Sequence, residues 1–238
     1  MKYCLMKQPA GLGDILFLQK IAHEYNHQGY HVIWPVNNSY LWIGKHLRLY
    51  DFPSIDDDFP LKEEYHQTSL CSIRHVGEHV IVATDGCGNG VETMKSKYDL
   101  CDIDWQDWQN YLTFELNWQK CTDLYHLLEL HTKGPYVLSM KQMGSPPNHV
   151  SNINIPIQTD LHVEYIRFID GFDLFDWYKV IQYAEELYLE GSSPIYLIEK
   201  METKAEQNNK MFLFSRDNHR HFNGLFKKPW IWRKESIK

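Results

Sequence analysis

Cysteines are few in this sequence, and no two of them form a CxxC pair. Their number is odd, at five: Cys4, Cys71, Cys87, Cys101 and Cys121. A disulfide framework uses an even number of cysteines, and a structural zinc site needs closely spaced pairs of ligands. The sequence therefore predicts reduced thiols, as in a cytoplasmic protein, and neither a disulfide framework nor a zinc site.

The chain also lacks a long apolar run and an excess of basic residues. No stretch approaches the roughly 18 consecutive apolar residues of a membrane-spanning helix, and the first residues do not resemble a cleavable secretion signal. Lys and Arg number 24 against 31 Asp and Glu, which leaves a net charge of −7. We therefore expect a soluble cytoplasmic protein with no transmembrane segment and no nucleic-acid partner.

What the sequence does contain is an alternation of short apolar strands with helix-like segments. Apolar residues recur three and four apart over residues 14–28, as on one face of a helix, and residues 105–117 also have a helical pattern. A strand, a helix and a second strand in succession predict a βαβ unit with a parallel sheet. The predicted strands are KYCLMK, YHVIWPV and HVIVAT, then YVLSMK, VEYIRFI, ELYLEG and MFLFSR. The breaker KGP predicts two α/β halves, residues 1–132 and 133–238.

A glycine turn, QPAGLGDIL, connects the first strand to the first helix. A dinucleotide-binding turn needs a third glycine, where this chain has Leu16, and an acidic residue after the second strand, where it has Asn37 and Asn38. No Gly-Lys-Ser/Thr sequence follows, so a P-loop is excluded as well. Asp14 would place a carboxylate beside any anion at the start of the helix. The turn therefore predicts neither NAD binding nor phosphate binding.

Asp14 itself has two interpretations. An aspartate at the start of a helix can cap free backbone N–H groups and complement the helix dipole. Alternatively, it is a carboxylate at the carboxyl edge of a parallel sheet, where α/β proteins bind their ligands. In that position it could act as a general base toward a hydroxyl group.

The opening K-x-x-x-G-L-G-D-I-L resembles the N-terminal motif of GT-B glycosyltransferases of the heptosyltransferase type. Most of the chain is similar to small GT-B-like transferases of surface-glycan gene clusters and large DNA viruses, through HVIWPV, MKSKYDLCDIDWQDWQNYLTF, the GSPPN loop, GFDLFDWYKVIQYAEE and SSPIYLIEK with LFKKPW. The resemblance implies a reduced GT-B architecture of two Rossmann-like lobes, with an acceptor-side half and a nucleotide-sugar-binding half. It also implies that Asp14 is the base in sugar transfer from a nucleotide-diphosphate sugar to a glycan or glycoconjugate.

In such an enzyme, the second half must stabilise the departing diphosphate. The candidate donor-binding residues follow the predicted strands of that half: Lys141, Asp170, Gly171, Phe172, Glu190, Ser192 and Ser193. The candidate acceptor-binding residues are Gln8, Gly11, Gly13 and Asn37. Glu190 and Glu199 stand nine residues apart, which does not match the glutamate pair of retaining enzymes and favours an inverting mechanism. An ordinary helix cap at the serines and a solvated Lys141 remain the structural alternatives.

Two other sets of residues raise the question of a metal. The sequence DIDWQD contains Asp102, Asp104 and Asp107, and DNHRHF contains His219 and His221. The aspartates precede a helix-like segment rather than follow a strand, and the histidines lack a well-spaced partner, so we expect no metal and no other cofactor. Two other functions stay open: a non-catalytic nucleotide- or sugar-binding module, and a Rossmann-type oxidoreductase or methyltransferase.

Overall fold

The computed structural model describes residues 1–88, 93–144, 150–215 and 224–234. The chain divides into two compact units, Met1–Glu115 and Leu116–Lys238. The sequence places the division later, after residue 132, whereas in the structure the helix Trp118–Leu127 packs on the helix Tyr178–Tyr183 and belongs to the second unit.

The first unit is built on a four-stranded sheet. Its strands are β1 (Tyr3–Lys7), β2 (His31–Ile33), β3 (Ser72–Val76) and β4 (His79–Ala83). Their order is β2-β1-β4-β3, with β1 parallel to both of its neighbours and β3 antiparallel to β4. The helices are α1 (Leu12–Phe17), α2 (Gln19–His27), α3 (Lys62–Gln67) and α4 (Thr93–Asp99), with 3₁₀ segments at Asn38–Lys45 and Trp108–Tyr111. The strand β3 was not predicted from the sequence.

The predicted amphipathic helix after β1 is confirmed, although it is interrupted at Leu18 and forms α1 and α2. Its apolar positions are buried at the three- and four-residue spacing: Ile15, Leu18, Ile21 and Ala22. The predicted helix over residues 105–117 is wrong, because only Trp108–Tyr111 is helical there. Asp107 pairs with Lys20 of α2, and Lys20 also donates to the Asp104 carbonyl at 2.6 Å. These contacts hold the segment in an irregular path over α2.

The second unit is built on a five-stranded sheet in which every pairing is parallel. Its strands are β5 (Tyr136–Met140), β8 (His162–Ile166), β9 (Glu186–Glu190), β10 (Met211–Ser215) and β11 (Ile231–Lys234), and β6 (Gln142–Met143) forms a separate hairpin with β7 (Ser151–Asn152). The order is β11-β10-β9-β5-β8. The helices are α5 (Trp118–Leu127), α6 (Leu130–Lys133), α7 (Tyr178–Tyr183), α8 (Ser193–Ile198) and α9 (Lys204–Gln207), with a 3₁₀ segment at Phe175–Trp177. All residues of β5 and β9 are buried, as expected for inner strands of a parallel sheet.

The prediction of five reduced thiols is wrong for one pair, because Cys71 and Cys87 form a disulfide bond. β3 and β4 bring the two residues together, with their Cα atoms 4.6 Å apart. Since β3 was not predicted, the sequence did not indicate their proximity. In the part of the chain that the structure describes, no helix is long and apolar enough to cross a membrane.

The C-terminal strand β11 is held in place by one buried side chain, Glu199, at the end of α8. Its carboxylate accepts hydrogen bonds from Trp230 Nε1 at 2.7 Å, from the Lys227 backbone at 2.7 Å and from the Lys228 backbone at 3.3 Å. Burial raises the pKa of the Glu199 carboxyl above its ordinary value of 4.5, although these donors act in the opposite direction. Glu199 thus connects α8 to the segment that enters β11.

We expect Glu199→Ala to lower the free energy of unfolding by about 2–4 kcal/mol, because three donors lose their acceptor. Glu199→Gln keeps an acceptor for Trp230 without a buried charge and should cost less. Because the pKa is raised in the folded state, the stabilisation linked to this proton is fully present below pH 4.5 and is lost as the pH rises through the folded pKa. Urea unfolding at about pH 4 and about pH 7 should therefore show wild type losing stability relative to Glu199→Gln. If the free energies of unfolding of wild type and Glu199→Gln differ by the same amount at both pH values, the raised pKa of Glu199 is contradicted.

Candidate functional site

The topology of the first sheet identifies one place where a ligand would bind. From β1 the chain passes to β2 on one side and later to β4 on the other side of β1. The connections therefore diverge between β1 and β4, and α/β folds bind ligands outside the carboxyl ends of the strands at such a point. Gln8 follows β1 and Thr84 follows β4, so both residues lie at this point.

The side chain of Gln8 is buried, and both its oxygen and its nitrogen form hydrogen bonds to protein partners. Its Oε1 accepts from Lys97 Nζ at 2.8 Å and from Thr84 Oγ1 at 3.3 Å, and its Nε2 donates to the Ala10 carbonyl at 2.7 Å. Its backbone carbonyl accepts from Trp34 Nε1 at 3.0 Å. Gln8, which the sequence predicts to bind the sugar acceptor, thus connects the end of β1 to the end of β4.

The glycine turn has a local structural explanation at Gly11. Gly11 precedes α1 with φ +86°, a conformation that glycine adopts without strain. A Cβ atom there would clash with the Oδ2 of Asp14 and lie 3.2 Å from its Cγ. Gly11 therefore lets the backbone approach the Asp14 carboxylate closely. Gly13, in the first turn of α1, is partly exposed beside it.

Asp14 is the third residue of α1, and its side chain is engaged in an ion pair. The residue at the cap position is Gly11, which has no side chain, and no side-chain cap bond is formed at this helix end. Asp14 Oδ1 instead pairs with Lys97 Nζ. The Asp14 side chain remains 27% exposed, whereas that of Lys97 is 4% exposed. The carboxylate is thus anchored from the protein interior while part of it faces solvent.

Lys97 is the residue of this site that sequence reasoning missed. It lies on α4, far along the chain from the glycine turn, and its ammonium group bridges Asp14 and Gln8. A buried lysine is rare unless it is paired. No clear signal in the sequence marks it, because its burial next to Tyr98 is visible only in the structure.

Asn37 also lies beside the glycine turn. Its backbone N–H donates to the Pro9 carbonyl at 2.9 Å, and its carbonyl accepts from Tyr40 at the start of a 3₁₀ segment. The side chain of Asn38 is instead paired with Asp56 and Ser54. The four predicted acceptor-side residues, Gln8, Gly11, Gly13 and Asn37, thus come from two neighbouring loops.

The second sheet has a corresponding point of divergence between β5 and β9. From β5 the chain passes to β8 on one side and then to β9 on the other, the strand order of the flavodoxin-like folds. Lys141 follows β5, and Gly191, Ser192 and Ser193 follow β9. Three of the predicted donor-binding residues, Lys141, Ser192 and Ser193, therefore follow the ends of the two strands that flank this point.

Ser192 occupies the cap position of α8 but does not cap it. Its hydroxyl group donates to the Glu190 carbonyl at 3.0 Å and lies 3.6 Å from the sulfur of Met140. No side-chain cap bond is made to the first N–H groups of α8. Glu190, the last residue of β9, is buried directly before this turn.

Lys141 and the turn Asp170–Gly171–Phe172 lie at the same edge of the second sheet. Lys141 is exposed, and its Nζ is 4.0 Å from the centre of the Tyr165 ring on β8. The turn follows β8, and Lys120 of α5 donates to the Gly171 carbonyl at 2.7 Å and contacts the Phe172 ring. Lys120 was not identified from the sequence.

Of the residues considered for a metal, Asp104 and Asp107 have protein partners instead. Asp107 pairs with Lys20, and Asp104 accepts from the Gln106 backbone at 3.0 Å. Over the described ranges, no group of three or more His, Cys, Asp or Glu side chains is arranged to hold a metal ion. His219 and His221, like the GSPPN loop, lie outside the described residues.

No protein-family model matches this chain, and no curated protein matches it in sequence. In structure, it is similar to the glycosyl transferase family 9 protein of Veillonella parvula DSM 2008, with a TM-score of 0.55 over 100% of this chain and 88% of that chain. The two are 9% identical, so the likeness is one of fold. Together with the two parallel-rich sheets, it confirms the predicted fold class, α/β with two Rossmann-like lobes in a GT-B architecture.

Proposed function

We propose that this protein is a glycosyltransferase that moves a sugar, a hexose or deoxyhexose, from a nucleotide-diphosphate sugar to a glycan hydroxyl in the cytoplasm. The observation that carries the proposal is the Asp14 carboxylate, which a buried lysine holds at the divergence point of the first sheet. The likeness in fold to a glycosyl transferase family 9 protein supports it. The first unit, Met1–Glu115, would bind the acceptor and the second unit, Leu116–Lys238, the donor.

In this proposal Asp14 is the general base. As the acceptor oxygen attacks the anomeric carbon of the donor, its proton passes to the carboxylate. The new C–O bond forms on the face opposite the leaving group, the bond between that carbon and the diphosphate breaks, and the nucleoside diphosphate leaves with the electron pair. One base and one displacement invert the configuration of the sugar. Lys97 keeps the carboxylate aligned for this proton transfer.

The negative charge that develops on the leaving diphosphate would be stabilised by the second unit. The N–H groups at the start of α8, which no side chain caps, and the hydroxyl groups of Ser192 and Ser193 are suitable donors. Lys141, which follows the adjoining strand β5 and whose Nζ lies over the Tyr165 ring, would supply a positive charge to the diphosphate. Because these groups can bear the charge, we propose a metal-independent reaction.

The test is release of UDP, GDP or dTDP from the corresponding nucleotide sugars, and of CMP from CMP-sugars as the monophosphate comparison, with glycan acceptors added. Thermal-shift measurements with the corresponding nucleotides identify the donor base independently of turnover. Release that depends on acceptor supports the proposal. Binding without turnover on every acceptor would instead indicate a non-catalytic module, and stabilisation only by NAD or S-adenosylmethionine would indicate a different enzyme class.

We expect Lys141→Ala to weaken donor binding by roughly 10- to 100-fold, the loss of a charge-assisted contact worth about 1.5–3 kcal/mol. The donor KM should rise while kcat changes little. Lys210→Ala is the matched control, because Lys210 precedes β10 at the opposite edge of the same sheet and pairs with Glu186. Equal effects of the two variants on the donor KM would contradict a specific role for Lys141.

A further inference from the structure

The disulfide bond between Cys71 and Cys87 lies next to the segment that carries Lys97. Cys71 directly precedes β3, and its N–H donates to the Asp85 carbonyl at 3.0 Å. Cys87 lies after β4, in the connection that leads to α4. The bond therefore ties the edge strand of the first sheet to the connection between β4 and α4.

Besides the disulfide bond, Cys87 is buried and makes two long contacts within the part of the chain that the structure describes. Its N–H reaches the Thr84 carbonyl only at 3.4 Å, and its sulfur lies 4.0 Å from the Ala83 carbonyl. Both contacts are at the long limit of hydrogen bonding. The covalent bond to Cys71 thus acts together with burial to fix the position of Cys87.

The residue after Cys87, Gly88, is in close steric contact with α4. Gly88 has φ +71°, and a Cβ atom on it would lie 2.8 Å from the Cα of Thr93 and also clash with the hydroxyl group of Ser96. Thr93 and Ser96 form the first turn of α4, and the next residue is Lys97. Gly88 therefore packs directly against the turn that positions the lysine.

We propose that the Cys71–Cys87 disulfide is a redox switch for the site, and that its reduction loosens α4 and disturbs the alignment of Lys97 with Asp14. The inference rests on the proposed function for its effect on turnover, but not for its effect on α4. It assigns a role to a bond that would not form part of the catalytic machinery.

The exchange chemistry requires a dithiol reductant. A thiolate of the reductant attacks the sulfur of the exposed Cys71, and Cys87 leaves as a thiolate that takes up a proton. The second thiol of the reductant then attacks the mixed disulfide, so Cys71 is released and the reductant becomes a cyclic disulfide. The thiols of Cys101 and Cys121 would react slowly in thiol–disulfide exchange, because few of them are thiolates. Burial raises the pKa of Cys101 to about 12 and that of Cys121 to about 11. In the reducing cytoplasm the bond would be open, so the reduced and less active form would be the resting state and oxidation would raise turnover.

The test compares the oxidised protein with protein reduced by dithiothreitol, and both with Cys71→Ser/Cys87→Ser. Reduction should accelerate hydrogen exchange in α4 while exchange in α2 is unchanged, and should lower kcat by roughly tenfold to a hundredfold. The double variant should match the reduced protein in both conditions. Cys101→Ser is the control variant, and it should keep the full response.

The exchange measurement separates this inference from the proposed function. If no nucleotide sugar is turned over in either state, the proposed function fails, while faster exchange in α4 still supports the switch. Equal exchange in α4 before and after reduction would overturn the switch. Alkylation of both Cys71 and Cys87 in the air-oxidised protein would overturn it as well, because the bond would then be absent.

Discussion

Replacing Asp14 by asparagine should reduce kcat by roughly 100- to 10,000-fold, the usual contribution of a general base. Asparagine has the same shape and keeps an oxygen that can accept from Lys97, so the local geometry should survive. What it lacks is the ability to take the proton of the acceptor hydroxyl. Nucleotide binding belongs to the second unit in our proposal, and the thermal shift with nucleoside diphosphate should therefore be unchanged.

The matched control for this variant is Asp107→Asn. Asp107 also pairs with a buried lysine of the first unit, Lys20, but it lies away from the divergence point of the sheet. Both variants exchange a paired carboxylate for an amide, and their costs in stability should be similar. Only Asp14→Asn should lose turnover. If Asp14→Asn retains wild-type turnover, the carboxylate has a structural role alone.

The elements that the sequence predicted well are those with a strong local pattern. The seven predicted strands, which are β1, β2, β4, β5, β8, β9 and β10, are short apolar runs, fully buried in β5 and β9, and α1 with α2 has a regular apolar face. β3 was missed because it is an edge strand whose side chains are only partly buried. The helix predicted over residues 105–117 is not formed; instead Asp107 pairs with Lys20 and Trp108 packs against Phe17, tertiary contacts that override local propensity.

The candidate site was predicted in part, for a related reason. Residues that follow strands, such as Lys141 and Ser192, can be placed at a sheet edge from strand order alone. Lys97 could not, because its contact with Asp14 spans 83 residues and depends on the packing of α4. The disulfide bond depends in the same way on β3. The Lys97–Asp14 ion pair and the disulfide bond are thus contacts between distant segments, and such contacts cannot be predicted from local sequence patterns.

Replacing Lys97 by methionine should reduce kcat by roughly 10- to 100-fold, because the carboxylate of Asp14 loses the group that orients it. The KM for the donor should remain close to the wild-type value, since Lys97 lies in the first unit. The free energy of unfolding should fall by about 1–3 kcal/mol, because Gln8 Oε1 also loses a buried donor. Steady-state kinetics and urea unfolding measure the two effects separately.

Comparison of Lys97→Met with Lys20→Met shows whether Lys97 positions Asp14 for catalysis or only stabilises the fold. Lys20 is also buried and also pairs with an aspartate, so its removal should cost similar stability without a loss of turnover. Lys97→Arg should recover part of the kcat that Lys97→Met loses, because it restores a positively charged donor. In the Asp14→Asn background, Lys97→Met should lower kcat little further, since the lysine acts through that carboxylate. Additive losses would show that Lys97 acts on the reaction by another route.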